Sequence, residues 1–211
     1  MFSFFKKPKK VVELPVVENI PITPEVEPQE QKPVWSIDKT FNFEMGHRVW
    51  SQKLEHEDLS ITTDCACKHL HGHSYEVKIE LSSSELDQSF MVTDFKNLNF
   101  MKQFLDEILD HKFMVDINDP NCMIITTVSP YDIAIKENFL KNKIIHLGAE
   151  FPVDDENLQL HRDSFVIVDF CPTSENICKF LKDYAQSKIG NIATVSAVEL
   201  WETKKSHCRY G

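Results

Sequence analysis

The sequence predicts an α+β fold in which an antiparallel sheet packs against two helices on one face. Two observations predict this class. Segments with apolar residues at every second position occur together with segments in which apolar residues recur at helical spacing. They follow the order strand, strand, helix and then, after a stretch of mixed signals, helix and strand. With 211 residues and 42% hydrophobic composition, the chain is long enough to bury a real core.

Residues 1–34 differ from the rest of the chain and are predicted to be a disordered tail rich in proline, glutamate and valine. Six of the ten prolines fall here, with no glycine and no periodic apolar face. Five lysines balance five glutamates in this tail, so the formal charge of −10 belongs to residues 35–211. We therefore expect one acidic folded domain over residues 35–211.

The first two predicted strands carry histidines on their apolar sides. In the first strand, His47 continues an alternating series that contains Phe41, Phe43 and Met45. The second strand follows His71-Gly72-His73, and its alternating apolar residues are Tyr75, Val77, Ile79 and Leu81. Because residues two apart leave a strand on the same side, the histidines are expected on the face that packs on the core.

Two helices are predicted from apolar spacing and capping residues. Asp94 can cap a helix that ends near Asp110-His111. Thr173 or Ser174 can cap a second helix that continues through Tyr184. Each helix presents one apolar stripe, which is expected to pack on the sheet.

The last predicted strand runs from residue 194 to residue 203. Val198 and Leu200 alternate on one face of this strand, and Glu202 is in phase with them. A carboxylate is therefore expected where apolar residues point. The alternative is a strand-end carboxylate in solvent, which the phase of Glu202 disfavours.

Residues 115–168 give mixed signals and are interpreted as an insertion. A helix is predicted near residues 131–140 and an apolar strand at residues 165–168. The apolar runs of this segment would be unfavourable if exposed, so it must pack somewhere. It either covers the site or contacts a neighbouring subunit, or it folds back on its own subunit, and the sequence leaves these arrangements open.

Composition excludes several classes of function. The excess of 33 acidic over 23 basic residues repels nucleic acid, so direct nucleic-acid binding is not expected. No stretch approaches the roughly 20 consecutive apolar residues of a membrane span, and the N-terminal apolar run is too short for a secretory signal. We expect a cytoplasmic protein whose six cysteines are thiols or metal ligands.

The sequence predicts a metal site at three histidines. His71 and His73 lie two residues apart, so on a strand both imidazoles can bind one ion, and His47 would be the third ligand. Three imidazoles leave the fourth position of zinc open, as in catalytic sites. Scattered core or surface histidines are the alternative. A structural zinc site is disfavoured because Cys65 and Cys67 are separated by one residue instead of the usual two to four.

The cysteine nearest to these histidines is a candidate base. Metal ions and imidazolium groups lower the pKa of a nearby thiol, so Cys67 is expected to accept a proton. Cys65 is expected to be a spectator. The remaining four cysteines are expected to be small apolar packing residues.

Six short motifs occur in order along the chain. They are Phe43-Glu44-Met45-Gly46-His47-Arg48, Cys67 with His71-Gly72-His73, Met91-Val92-Thr93-Asp94-Phe95, Leu109-Asp110-His111, Pro172-Thr173-Ser174-Glu175-Asn176 and Glu202-Thr203. This order resembles the 6-pyruvoyl-tetrahydropterin synthase family, over about residues 37–112 and 171–210. The three-residue gap between Cys67 and His71 and the Asp94-Phe95 pair are most similar to the 6-carboxytetrahydropterin synthases of queuosine and 7-deazaguanine biosynthesis.

The resemblance implies a tunnelling fold (T-fold), in which the sheets of several subunits join into a β-barrel, commonly as a homohexamer with sites between subunits. The implied roles are Zn²⁺ binding by His47, His71 and His73, acid–base catalysis by Cys67, Asp110 and His111, lining of the pterin pocket by Thr173, Ser174 and Glu175, and pterin anchoring by Glu202. The family's alanine before the first histidine is Gly46 here, a small-for-small change that leaves the metal assignment in place.

The implied reaction is that of a lyase. It converts 7,8-dihydroneopterin triphosphate into 6-carboxy-5,6,7,8-tetrahydropterin, acetaldehyde and triphosphate, with zinc acidifying protons near the vicinal hydroxyls of the substrate. Two alternatives stay open: a pyruvoyl-forming synthase that uses the same substrate, and a non-catalytic module that binds pterin or zinc. Without the resemblance, Asp110-His111 would be interpreted as an ordinary helix end.

Overall fold

The computed structural model describes residues 34–53 and 65–211. The predicted tail, residues 1–34, lies outside these ranges except for Val34, so its disorder stays a prediction. Among the described helices, none is long and apolar enough to cross a membrane.

The described residues form one mixed sheet with helices. Its strands are β1 (Trp35–His47), β2 (His71–Ser83), β3 (Lys112–Asp116), β4 (Ile144–His146), β5 (Phe165–Val168), β6 (Thr194–Thr203) and β7 (Ser206–Tyr210). Their spatial order is β4-β5-β3-β1-β2-β6-β7. The α+β class is therefore confirmed, and so are the strands predicted at β1, β2, β5 and β6.

The described helices include both predicted ones. They are α1 (Asn99–Phe104), α2 (Cys122–Thr126), α3 (Pro130–Ala134), α4 (Glu137–Asn142), α5 (Leu147–Glu150), α6 (Glu156–Asp163) and α7 (Ser174–Ile189). A 3₁₀ turn at Phe95–Leu98 precedes α1 and a π-helical turn at Leu105–Leu109 follows it. These three pieces together are the first predicted helix.

Capping side chains fix where the two main helical segments begin. Asp94 accepts a hydrogen bond from the backbone N–H of Lys96 at 2.8 Å. Thr173, rather than Ser174, caps α7 by accepting from the backbone N–H of Asn176 at 3.3 Å. Both caps satisfy N–H groups that a helix leaves without an internal partner.

The antiparallel pairing of β1 with β2 sets the position of the predicted metal ligands. Met45 lies opposite His73 and His47 lies opposite His71. Alternate residues of β1, β2 and β6 are buried in the main core, to which α1 and α7 both contribute. The rings of Phe104 and Tyr184 lie 4.1 Å apart, so these two helices also contact each other.

The sheet is not purely antiparallel, which corrects the prediction. β3 is parallel to β1 on one side and to β5 on the other. Parallel neighbours require long crossover connections, and here the helical segment at residues 95–109 and helices α2–α6 provide them. All four residues of β5 are buried, as expected for a strand covered on both faces.

Residues 115–168 fold back on their own sheet. They contribute most of a second apolar cluster, whose buried members are Val115, Cys122, Val128, Ile133, Phe139, Ile145, Leu147, Phe165 and Ile167. The prediction of one helix near residues 131–140 is wrong, because Lys136 has an extended backbone between α3 and α4. Its Nζ donates to the carbonyl of Glu150 at 2.8 Å, and this tertiary contact accompanies the interruption.

Candidate functional site

The three predicted metal ligands come together at one end of the β1–β2 pair. His47 is the last residue of β1 and His71 is the first residue of β2. The ring centroids are 4.5 Å apart for His47 and His71, 4.9 Å for His71 and His73, and 5.2 Å for His47 and His73. His47 is fully buried, whereas the other two rings are partly exposed.

Backbone carbonyls fix the proton on two of these rings. His47 Nδ1 lies 2.6 Å from the carbonyl oxygen of Pro172, and His71 Nδ1 lies 2.8 Å from that of His69. Because a carbonyl oxygen can only accept, each Nδ1 carries the proton and donates it. Each Nε2 is left with a free lone pair, which is how metal-binding imidazoles are usually oriented.

Glu202 brings a carboxylate into the same cluster. Its Oε1 lies 3.2 Å from His47 Nε2 and 3.4 Å from His73 Nε2. Four potential ligand atoms, one from each histidine and one from Glu202, lie within 4.8 Å of one another. The adjacent His47 lowers the pKa of Glu202, while burial of the carboxyl opposes this effect, so the group is ionised at neutral pH.

The cluster fits a divalent metal ion. Among the described residues, the buried Nε2 atoms of His47 and His73 have no hydrogen-bond partner, although Glu202 Oε1 lies close to both. Buried polar atoms without a partner are unfavourable, and one shared cation would satisfy both. Burial lowers the pKa of His73, which favours its neutral, metal-binding form. Three imidazole nitrogens are a donor set that suits Zn²⁺ and leaves its fourth position open.

Cys67 lies in a 3₁₀ turn (Ala66–Lys68) just before β2, and its carbonyl accepts from the backbone N–H of Val49 at 2.8 Å. Burial raises the pKa of the Cys67 thiol, and Cys65 and Glu202 raise it further. The residues around the thiol therefore oppose the lowering of its pKa that the sequence led us to expect. A cation held by the histidines acts in the opposite direction, so the expected thiolate depends on that cation.

Asp110 and His111 form an oriented pair beside β1, at the edge where β3 joins the sheet. Asp110 Oδ1 accepts from the backbone N–H of Glu44 at 2.8 Å, and its Oδ2 lies 2.8 Å from His111 Nδ1. Both contacts lie at the edge of β1 that pairs with β3, whereas His71 and His73 belong to β2 on the other edge of β1. Asp110 and His111 are not part of the metal cluster, and among the described residues no hydrogen bond joins either of them to Cys67.

The residues predicted to line the pterin pocket begin α7. Thr173 and Ser174 are partly exposed and Glu175 is exposed. Thr173 follows Pro172, whose carbonyl holds His47, so this helix start is adjacent to the metal cluster. The Thr173 hydroxyl is engaged in the helix cap, so of these side chains Ser174 and Glu175 are the ones without a capping role.

The fold explains why residue 46 is a glycine. Along the edge of β1, β3 pairs Gly46 with Phe113. A Cβ atom at position 46 would collide with the ring of Phe113. Glycine at this position therefore accommodates the close approach of β3.

Two buried carboxylates beside the site were missed from the sequence. Asp116 and Asp119 are each 3% exposed, and they contact Trp50 and Arg48, which follow the first metal ligand. In the sequence, the two aspartates resemble ordinary turn residues next to Asn and Pro. Their partners lie far away in the sequence, so no local pattern distinguishes them.

Known proteins with this sequence pattern and fold are similar over most of the chain. A family model described as 6-pyruvoyl tetrahydropterin synthase matches residues 36–211. The 6-carboxy-5,6,7,8-tetrahydropterin synthase of Aquifex aeolicus (strain VF5) is 34% identical over 187 residues, which cover 83% of this chain and 97% of the relative. The enzyme of the same name from Haemophilus influenzae is 25% identical over 182 residues, covering 84% and 99%.

A solved structure has the same fold. The crystal structure of an uncharacterised protein from Wolinella succinogenes is 38% identical in sequence and matches with a TM-score of 0.76, covering 84% of this chain and 98% of that one. The resemblance expected from the six motifs is thus confirmed by family model, relatives and fold. The chain belongs to the 6-pyruvoyl tetrahydropterin synthase family.

Proposed function

We propose that the protein is a zinc-dependent 6-carboxytetrahydropterin synthase, a lyase of queuosine or 7-deazaguanine biosynthesis. It converts 7,8-dihydroneopterin triphosphate and water into 6-carboxy-5,6,7,8-tetrahydropterin, acetaldehyde and triphosphate. The observation that carries this proposal is the convergence of His47, His71, His73 and Glu202 on one point near Cys67. The names of the Aquifex and Haemophilus relatives support the carboxy-forming product.

In the proposed site, different residues bind the metal ion and the substrate. The three imidazoles would hold Zn²⁺, which would polarise the vicinal hydroxyls on the substrate. The carbonyls of Pro172 and His69 keep the rings of His47 and His71 in place as substrate enters. The ionised carboxylate of Glu202 can accept two hydrogen bonds from the guanidine-like edge of a pterin.

Proton transfer is divided between Cys67 and the Asp110–His111 pair. Cys67, as thiolate, accepts a proton from the carbon substituent of the pterin that bears the hydroxyls. His111 is oriented through Nδ1 by Asp110, so its Nε2 is free to return a proton. Each positioned acid or base contributes about 10²–10⁴ in rate. Triphosphate then leaves, and cleavage of a carbon–carbon bond in the same substituent releases acetaldehyde.

Assembly of this site requires more than one subunit. Cys67 directly precedes the metal ligands of β2, whereas Asp110 and His111 contact the edge of β1 that pairs with β3 and are not part of the cluster. We propose that a second copy of the protein supplies the Asp110–His111 pair, in a homo-oligomer of the tunnelling fold whose expected size is a hexamer.

A turnover assay tests the proposed function. Zinc-loaded protein is incubated with 7,8-dihydroneopterin triphosphate, and the pterin product and acetaldehyde are measured. A product with the mass of 6-carboxytetrahydropterin, with one acetaldehyde per product, is expected. Triphosphate release with a pyruvoyl product and without acetaldehyde would favour the pyruvoyl-forming alternative. Pterin binding without any turnover would indicate a non-catalytic module.

A further inference from the structure

We propose that Asp116 and Asp119 are positioning residues that hold the metal ligand His47 and the Cys67 turn in a fixed relative arrangement. Asp116 is the last residue of β3 and Asp119 lies in the turn that follows, and we name residues 116–121 the aspartate turn. This inference rests on the proposed function, because it assigns a role toward the same zinc and thiol. It concerns residues outside the six motifs that place the protein in its family.

The first contact joins the aspartate turn to the residue after His47. Asp119 Oδ2 lies 3.1 Å from Arg48 Nε, and the two side chains are 1% and 17% exposed. The other carboxylate oxygen of Asp119 accepts from the backbone N–H of Asn121 at 2.8 Å. The carboxylate is therefore held by its own turn while it contacts Arg48.

The second contact lies two residues further along. Trp50 Nε1 donates to Asp116 Oδ2 at 2.8 Å. Asp116 Oδ1 accepts from both the backbone N–H and the side-chain amide of Asn118, at 2.9 and 3.0 Å. Both oxygens of this 3%-exposed carboxylate are thus satisfied, so its position is well defined.

Between these two contacts, the backbone touches the thiol-bearing turn. Val49 lies between Arg48 and Trp50, and its backbone N–H donates to the carbonyl of Cys67 at 2.8 Å. Arg48 and Trp50 therefore contact the aspartate turn, and Val49 between them contacts the Cys67 carbonyl. A shift of this segment would move His47 and Cys67 relative to each other.

The choice of charged partners favours positioning over stability. A buried ion pair generally adds no more stability than apolar residues of the same volume, because desolvation of the charges offsets their attraction. The hydrogen bonds that the two carboxylates accept from Trp50, Asn118 and Asn121 are directional, and they define one arrangement more sharply than apolar contacts do. The contacts of Asp116 and Asp119 are with Trp50 and Arg48, two of the three residues that follow His47, where a displacement affects the site directly.

The test compares changes at the aspartate turn with a change elsewhere in the same domain. Trp50→Phe removes the N–H donor to Asp116 but keeps an aromatic ring. The pair Arg48→Met with Asp119→Leu removes both charges together, so no unpaired charge stays buried. Arg162→Met is the control, because Arg162 donates to the carbonyl of Phe151 at 2.8 Å, away from the residues that follow His47.

Three quantities are measured on the full-length protein without substrate: the melting temperature, the zinc affinity by competition with a chelator, and the alkylation rate of Cys67 by peptide mass analysis. Trp50→Phe and the charge-free pair are expected to weaken zinc binding about 10-fold, the low end for residues that support metal ligands, and to change the alkylation rate of Cys67. The control is expected to lower the melting temperature while zinc affinity and alkylation rate stay as in the wild type.

Unchanged zinc affinity and Cys67 alkylation in folded Trp50→Phe would overturn this inference alone. If the charge-free pair does not fold, Trp50→Phe decides the question. A wild-type protein that binds no zinc would overturn the proposed function together with this inference.

Discussion

At the scale of single residues, two of the three imidazoles in the metal cluster are held in place by a backbone carbonyl. The Pro172 carbonyl lies at the start of α7, far from His47 in the sequence, and still sets the tautomer of that imidazole. The carbonyl of His69 does the same for His71 from two residues away. Ligand geometry here therefore combines strand phase with contacts from other parts of the fold.

Replacing His71 by alanine is expected to lower the zinc affinity more than about 100-fold, because even residues that only support metal ligands contribute about 10- to 100-fold. Chelator competition measures the affinity. The control is His69→Ala, since the exposed His69 side chain lies outside the cluster and only its backbone carbonyl contacts His71. Equal losses in the two variants would contradict the assignment.

Replacing Cys67 by alanine is expected to lower kcat by about 10²–10⁴ while zinc stays bound, because the thiol is proposed as a base and not as a ligand. The control, Cys65→Ala, removes a thiol that donates to Gln52 Oε1 at 2.7 Å and is expected to leave turnover close to the wild-type value. Steady-state kinetics and metal content are measured for both. A reversed pattern would assign the base to Cys65.

At the scale of elements, Asp110 joins the end of the first helical segment to β1. The π-helical turn ends with a hydrogen bond from the Asp110 N–H to the Leu105 carbonyl at 2.8 Å, and the carboxylate then accepts from the Glu44 N–H. His111 continues with a positive φ of 58°, and its N–H donates to the Glu44 carbonyl at 2.7 Å. This junction directs the backbone into β3 beside β1.

The stability of this junction is expected to depend on pH. The backbone N–H of Glu44 holds the pKa of Asp110 below its usual value, and His111 acts in the same direction. Because the folded pKa is lower than the unfolded one, the stabilisation is present above about pH 4–5 and is lost as pH falls through the folded pKa. Asp110→Asn lacks this titration. Urea unfolding of both proteins from pH 7 to pH 3 is expected to show their stability difference shrinking on acidification, and a constant difference would contradict it.

Elements with a strong local pattern were predictable from the sequence, and elements defined by distant partners were not. β1, β2 and β6 alternate clearly, and the caps at Asp94 and Thr173 mark their helices. β3 and β7 have only five residues each, so their strand conformation depends on the neighbours with which they pair. The parallel pairing of β3 could not be predicted, because the crossovers that create it lie in the segment with mixed signals.

The same distinction applies to the candidate site. Strand phase alone places the three histidines and Glu202 on one face, and the structure brings them together. The aspartate turn has no such periodicity, and its contacts with Arg48 and Trp50 join segments that are distant in sequence. Residues of this kind become visible only when burial and partners are known.

At the scale of the whole molecule, the acidic charge lies in the domain that would bind a triphosphate. The formal charge of −10 belongs to residues 35–211, so the protein repels such a substrate at long range. Attraction must therefore come from a bound cation and from nearby basic side chains. Long-range repulsion predicts that association is faster at higher ionic strength, until screening also weakens the local contacts.

Deletion of residues 1–34 is expected to leave melting temperature, oligomer size and turnover unchanged. The composition of this tail cannot bury a core, and the family match begins at residue 36. Thermal unfolding, light scattering and the turnover assay measure the three quantities. A change in oligomer size or a loss of turnover would show that the tail contributes to the assembled protein.

The position of Glu202 near the C-terminus has a consequence for synthesis of the protein. The three imidazoles are all present once residue 73 has emerged from the ribosome, whereas Glu202 and the rest of β6 emerge more than a hundred residues later. A two-stranded β1–β2 pair is at best marginally stable alone, so its histidines cannot hold a fixed geometry during that interval. The metal centre is therefore among the last parts of the domain to form. Truncated products that lack β6 are expected to be degraded before they bind metal.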